Sequence, residues 1–457
     1  MTSLQNTAGE PAQTFPPQAQ AVAFTMNSAE RSVQSRRTRL ASQAALARAG
    51  GFVLRFHRVF SVFTASLIAF APLHAVAQTP EEKVSVRERP RPEFDPLGTR
   101  LGAFNLNAEL DLGVASTDNL FADVPGAEVD DMIYTVSPWA RLSSGWSRHA
   151  LSVEGGATFK SHQDFSSEDA DTHFVRGVGR LDIGSSTSIT GTAGFAHEVE
   201  PRTDPDASLL GDPVEYDRTE MSVGVAHTFN RFRVVAEAAH AETDFDGLVP
   251  SLRDNEEDVL RGRIEAELTP RIGAVLQATA DERSYDNDPT LNSEGQTLLA
   301  GVTINFTDLM LGEFTVGQFE RDYQGFGSTD GLAIAAEVEW YITRLTTITL
   351  NVDRNAEDVV GAATGLPYVE ERYGARVDHE LLRNVILTAA VQAGQREYDV
   401  VDRNDDFFYG EIGADYLMNR RVALQARYRR DEVESSGAAA YRDYEVNTLS
   451  VGLSLRL

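Results

Sequence analysis

In the stretch FNLNAELDLGV, Phe104, Leu106, Ala108, Leu110, Leu112 and Val114 are apolar, while Asn105, Asn107, Glu109 and Asp111 between them are polar. Side chains of an extended chain point alternately to opposite faces, so the pattern predicts a strand with one oily and one wetted side. The same period recurs downstream. Leu345, Ile348, Leu350 and Val352 oppose Thr347, Thr349, Asn351 and Asp353, with one irregular step near Thr346. Leu260, Gly262, Ile264, Ala266 and Leu268 oppose Arg261, Arg263, Glu265, Glu267 and Thr269. Two arginines and two glutamates on one strand face suit a water-filled lumen.

The connections between such segments fall into two classes. SSGWSR (143–148), GSS (184–186), FNRF (229–232), TPRI (269–272), FTDLM (306–310), YITRL (341–345), LLRN (381–384) and LMNRR (417–421) allow only tight reversals. Between them lie acidic, Gly/Pro/Asp-rich connections, at 116–131, 161–171, 199–215, 245–258, 286–295, 325–331, 356–367, 401–406 and 434–440. Short and long strictly alternate, a repeat of about 40 residues per hairpin. Seventeen connections imply 18 strands. Strands with one lipid-facing side must close on themselves, because hydrocarbon offers no partner for backbone N–H and C=O groups. The expected fold is therefore all-β: an antiparallel transmembrane β-barrel with short periplasmic turns and long extracellular loops.

Aromatic residues gather beside the short turns: Trp139, Trp146, Phe229, Phe232, Phe306, Trp340 and Tyr341. Their amphipathic rings suit the lower interface between lipid and water, as a membrane girdle. The final segment alternates Leu449, Val451, Leu453, Leu455 and Leu457 to the last residue, as an assembly signal read by the barrel-assembly machinery would, although such signals usually end in Phe.

Composition narrows the class further. There is no cysteine, so neither disulfides nor thiolate metal sites arise. Arg36, Arg37, Arg39, Arg48, Arg55 and Arg58 precede the apolar run from Val59 to Gln78, which ends in Ala75-Val76-Ala77. This predicts a signal peptide with an extended N-region over 1–77. TPEEKVSVRERPRPEFDPLG follows, with prolines that interrupt regular structure and charges that oppose burial. It reads as a Pro-rich periplasmic linker over 78–100, ahead of a barrel over 101–457. Past residue 78 no window approaches the run of about 18 apolar residues that a spanning helix needs. The formal net charge of −28, with the basic N-terminal segment included, repels nucleic acid.

Four units share one spacing: Arg283-Ser-Tyr285, Arg321-Asp-Tyr323, Arg396-Glu-Tyr398 and Arg442-Asp-Tyr444. Counted from the lipid-facing residues of each strand, period two places both members of every pair inside, at the extracellular pore mouth. The guanidinium fork suits carboxylate or phosphate, and a tyrosine ring can cover a sugar face. The competing and simpler reading is that these arginines pair with acids such as Asp281, Asp286 and Asp399 and brace the mouth. Asp402, Asp405 and Asp406, or Asp286 and Asp288, offer oxygen atoms to divalent cations, but without calcium-loop spacing, so no metal site is assigned. Ser161 beside His162, Ser222 near His227, and His240 or His379 could be offered as hydrolase residues, yet no Gly-x-Ser-x-Gly turn occurs and no catalytic order is recognisable.

With its first strand followed by Thr117-Asp118-Asn119-Leu120-Phe121, its Arg-x-Tyr-Asp units near strand ends, and its last strand, the chain resembles the putative β-barrel porin 2 family of proteobacterial outer-membrane proteins over roughly residues 100–457. The resemblance implies a Gram-negative outer membrane and an association with export of surface polysaccharide. The expected function is a passive porin-like conduit for hydrophilic solutes, without enzymatic activity or cofactor. Its partners would be outer-membrane lipid, lipopolysaccharide, the barrel-assembly machinery and polysaccharide-export components, and not nucleic acid. The rivals are a non-conducting component of a polysaccharide-secretion apparatus and a barrel-embedded lipid hydrolase.

Overall fold

The computed structural model describes residues 84–457, apart from 206, 208–210, 248–249, 308 and 358–366. The predicted signal segment lies outside the described residues. Eighteen strands form one closed antiparallel barrel, and a further short strand, β1 (Thr99–Leu101), folds back on the start of β2 (Phe104–Thr117). Closure comes from β2 and the last strand, β19 (Tyr444–Arg456), with Val451 opposite Val114 and Leu455 opposite Leu110. Without this seam two strand edges would offer unbonded backbone groups to lipid.

The eight tight reversals gather at one end of the barrel and the nine longer connections at the other. Between β7 (Glu215–Phe229) and β8 (Phe232–Phe245) only Asn230 and Arg231 remain, and Asn230 takes a φ of 55°, a region asparagine tolerates. The barrel strands run from 12 to 17 residues, whereas about 9–11 suffice to cross a bilayer. With tight turns at one end, the surplus stands above the lipid at the long-loop end.

The pleat sorts residues as a membrane barrel requires. Val451 is 57% exposed on the outer wall, and Leu449, Leu455, Leu457, Ile264 and Leu276 are exposed with it. The interior instead buries charge, with Arg321 only 1% exposed. Of the aromatic residues near the short turns, Trp146, Phe229, Phe232, Phe306 and Trp340 are exposed. Trp146 meets Phe104 edge-on at 5.6 Å, and the Phe229 and Phe232 rings stack at 5.8 Å.

Two expected girdle residues face the other way. Trp139, on β3 (Asp131–Ser144), pairs with Glu109 and with Gly156 of β4 (Ala150–His162), on the face opposite the exposed Tyr134 and Val136. Tyr341 is buried, and its hydroxyl donates to Glu339 at 2.6 Å. Period two forbids Trp340 and Tyr341 from both meeting lipid, and Trp340 does.

The stretch read as a loose linker is also different. Its described part folds into turns inside the short-turn end of the lumen, with Val86 fully buried. Pro92 sits inside the second of its two turns, and its arginines find carboxylates on the wall.

Depth in the bilayer should decide the cost of a charge on the outer wall. Val451→Arg, in mid-strand, is expected to destabilise the barrel by about 2–4 kcal/mol, and Leu457→Arg, at the interface, by about 0–1 kcal/mol. Reversible urea unfolding from lipid vesicles measures both; equal costs would contradict the placement.

Candidate pore and its charged lining

Alternation alone carries Arg261, Arg263, Glu265 and Glu267 of β9 (Asn255–Thr269) into the lumen, where they line a cavity of about 1020 Å³. The cavity reaches from the short turns at Arg231 and Arg271 up to Arg354 and Arg372. Its charges are matched both across strands and along them. Arg263 sends two guanidinium nitrogens to Glu313, at 2.8 and 2.7 Å, and its Nε to Glu265 at 2.8 Å. Glu265 also takes Arg233 at 3.2 Å, and Arg261 lies 3.8 Å from Glu237. A forked guanidinium between two carboxylates is fixed in direction, so these side chains hold a lumen shape rather than sweep it.

Nearer the long loops stand the four Arg-x-Tyr units. The register from Ile272 to Arg283 is unbroken between β10 (Ile272–Tyr285) and β11 (Ser293–Thr307), so no bulge changes the parity of Arg283 and Tyr285. Arg283 donates to Glu257 at 3.0 Å. Arg321, near the end of β12 (Met310–Tyr323), binds Asp281 and Ser293, which ties the second unit to the strand of the first. Arg396, near the end of β16 (Val385–Tyr398), donates to Glu370 at 2.9 Å and lies 4.4 Å from the Phe407 ring centre. Arg442 donates to the carbonyls of Phe121, at 3.2 Å, and Ala122, at 2.9 Å, and also to that of Arg202. The Tyr444 hydroxyl donates to the Thr203 carbonyl at 2.8 Å. Asp281 thus belongs to Arg321 on the next strand but one, and the arginines are held by partners from four strands, β9, β10, β11 and β15, and from the loops.

Contacts join the units in two groups. Arg283 and Arg321 join through β10. The units at 398 and 442 join through a residue that the repeated spacing does not reveal, Arg403, whose guanidinium lies 4.3 Å from the Tyr398 ring centre and 5.2 Å from that of Tyr441. Arg403 also binds Asp405, as does the Tyr398 hydroxyl at 3.3 Å. The i, i+2 spacing of Arg403 and Asp405 on a strand was the available signal. Asp405 is therefore inside while Asp406 is exposed, and Asp288 accepts from Thr290 N at 3.1 Å, so these acids do not converge on a cation.

Two loop segments complete the mouth. Arg202 reaches Glu168 through both Nε and Nη2, at 2.9 and 2.7 Å, while its carbonyl receives Arg442. Arg253 pairs with Glu200, both buried, and lies 4.1 Å from the Phe245 ring centre. Residues 200–203 thereby reach from Arg253 to Arg442 and Tyr444. Asp254 sits beside Arg253; burial pushes its carboxyl above the usual range, the bond from Phe245 N works against this, and Asp286 and Asp246 add to the rise. The histidines weighed as catalytic bond elsewhere: His227 with Thr187 at 2.8 Å, His240 with Asp258 at 2.9 Å, His379 with Thr346 at 3.0 Å, and His162 lies 3.5 Å from Asp169.

Residues 91–457 match the family described as Putative beta-barrel porin 2. No curated protein matches the chain. Among solved structures, Pseudomonas aeruginosa OccK2 (OpdF) is similar at 12% identity and a TM-score of 0.45, over 77% of this chain and 98% of that one. OccK9 (OpdG) of the same organism gives 14% and 0.45, over 78% and 98%. OpdL, also from that organism, gives 13% and 0.42, over 78% and 100%.

The Arg321–Asp281 pair, with both side chains 1% exposed, predicts a non-additive pair of substitutions. Arg321→Met strands a buried carboxylate and should cost about 3–5 kcal/mol, most of it recovered when Asp281→Leu is added. Urea unfolding of the two single variants and the double variant measures this cycle, and additive costs would contradict it.

Proposed function

We propose, for a chain that belongs to the Putative beta-barrel porin 2 family over residues 91–457, the role of a passive aqueous conduit for small hydrophilic solutes in the outer membrane of a Gram-negative bacterium. Membership makes it a porin-like outer-membrane barrel, and porins are channels, which favours transport over hydrolysis. The observation that carries the reading is the charged cavity of about 1020 Å³, continuous from the short turns to the level of Arg354 and Arg372. That volume matches small organic solutes, for which sites of about 300–1000 Å³ are usual. Because each Arg-x-Tyr arginine is engaged by a carboxylate or by backbone carbonyls, the mouth carries little free positive charge. The acidic balance of the chain then sets a cation preference.

Export of a surface polysaccharide asks more of the pore. A polymer needs residues 200–203 and the N-terminal segment to move aside together. Occupation of both ends also favours the rival role of a non-conducting component in a secretion apparatus, and conductance separates the two.

Single-channel recording of the purified barrel in planar bilayers should give ohmic steps with a reversal potential on the cation side under a KCl gradient. Arg263→Gln releases Glu313 and leaves Glu265 with Arg233 alone, and should raise that preference. Absence of conductance, both in this chain and in a variant without residues 84–95, would exclude the conduit.

A further inference from the structure

The N-terminal stretch just ahead of the barrel carries the sequence Val84-Ser85-Val86-Arg87-Glu88-Arg89-Pro90-Arg91-Pro92. Nothing in its composition favours burial, yet it is seated inside the lumen. It is compact by itself: Arg89 N donates to the Ser85 carbonyl at 3.0 Å, and Phe94 N and Asp95 N both donate to the Arg91 carbonyl, at 2.8 and 2.7 Å. Arg91 Nη2 closes the first turn by donating to the Val86 carbonyl at 2.6 Å.

The wall meets this folded segment with complementary charge. Val86 N donates to Thr347 Oγ1 at 3.0 Å. Arg87 donates to Asp378 at 2.7 Å and to Thr388 at 2.6 Å, and lies 3.7 Å from Asp415. Arg89 and Arg91 share one oxygen of Glu380, at 3.3 and 3.0 Å. Arg420, in a short turn, donates to the Pro92 carbonyl at 2.8 and 2.6 Å. Val86 is fully buried, and Arg91 and Glu380 are 3% and 4% exposed. Three arginines at alternate positions meet three acids from β15 (Tyr368–Leu382) and β17 (Arg403–Asn419), all near the short turns. A flexible linker would not hold several long side chains in one geometry against their rotamer entropy.

We infer that residues 84–95 are a removable plug, latched by Arg87, Arg89 and Arg91 to the acidic seat of Asp378, Glu380 and Asp415, that narrows the short-turn end of the conduit. The inference rests on the channel reading of the preceding subsection. The cavity runs along the β8–β15 side, past Glu337 and Glu339, while the plug occupies the β14–β17 side, where β14 is Thr346–Glu357. The seated plug therefore reduces the opening rather than sealing it. Its departure leaves the seat to the wall's own arginines, with Arg376 on Asp378, Arg427 on Asp415 and Arg383 3.8 Å from Glu380, so the unplugged state is wider at that end.

The chain has no cysteine, so introduced thiols report without interference. Seating is read by a membrane-impermeant maleimide on Val86→Cys, with Leu97→Cys, at a position 68% exposed, as the reference. Labelling at 86 should be slower on the order of tenfold or more, the ratio given by an opening free energy of about 1.4 kcal/mol. Asp378→Asn with Glu380→Gln should erase most of that difference. Equal rates at 86 and 97 in the otherwise unaltered barrel would overturn the seat. Gating is read by conductance of the double variant Val86→Cys, Thr347→Cys: oxidation should abolish the larger open level and reduction restore it. A barrel without 84–95 that conducts identically to the full chain overturns the plug and leaves the conduit standing. If neither conducts, the conduit reading fails, and the gate with it.

Discussion

Every feature of this molecule descends from the inability of hydrocarbon to hydrogen-bond a peptide group. A strand in lipid must have both of its edges paired, and only closure achieves this for all strands at once. The β2–β19 seam is thus the interaction on which the rest depends, since it turns eighteen amphipathic ribbons into a wall. Once the wall closes, the pleat has only two directions, lipid and lumen. Apolar side chains take the first, and the charged residues have nowhere else to go.

That consequence explains why the interior looks inverted beside an ordinary protein. Where a soluble domain would bury leucine, this one buries Arg321, Asp405, Arg403 and Glu380. Such burial is tolerable because the charges meet one another, along a strand as Arg403 with Asp405 and Arg263 with Glu265, and across strands as Arg321 with Asp281, Arg263 with Glu313, Arg396 with Glu370 and Arg283 with Glu257. An unpaired ion out of water would cost several kcal/mol, so a lumen this charged has to be a lumen of pairs. Arginine suits that task better than lysine, since its flat fork bonds two partners and stacks on tyrosine as well. The i, i+2 repetition of Arg with Tyr follows directly, because it is the shortest spacing that keeps both on the inner face.

What could be read from the sequence was what period two and turn chemistry encode. The strands, their number, the lopsided loops and the inward direction of Arg283, Arg321, Arg396 and Arg442 all follow from local alternation. The partners were not legible, because they join residues far apart in the chain: Arg442 to Ala122, Tyr444 to Thr203, Arg91 to Glu380. Nearness to a tight turn suggested lipid for Trp139 and Tyr341, yet a turn is compatible with either face, and the parity of Val136 and Trp340 decided against them. The N-terminal segment misled for a related reason. Proline and arginine signal a solvated tether only when no acidic concavity awaits them, and the concavity is assembled from strands nearly three hundred residues downstream.

The same electrostatics that braces the wall also makes a removable occupant physically reasonable. In a dry core, breaking an Arg–Glu pair strands a charge and costs about 3–5 kcal/mol. In a water-filled barrel Asp378 and Asp415 keep Arg376 and Arg427, Glu380 turns to solvent beside Arg383, and the released arginines are solvated outside, so much of that penalty is avoided. Backbone closure carries the stability of the barrel, and none of its strand pairings uses residues 84–95. A segment whose every bond to the wall given above uses a wall side chain, inside a wall that does not need it, can leave without unfolding anything else.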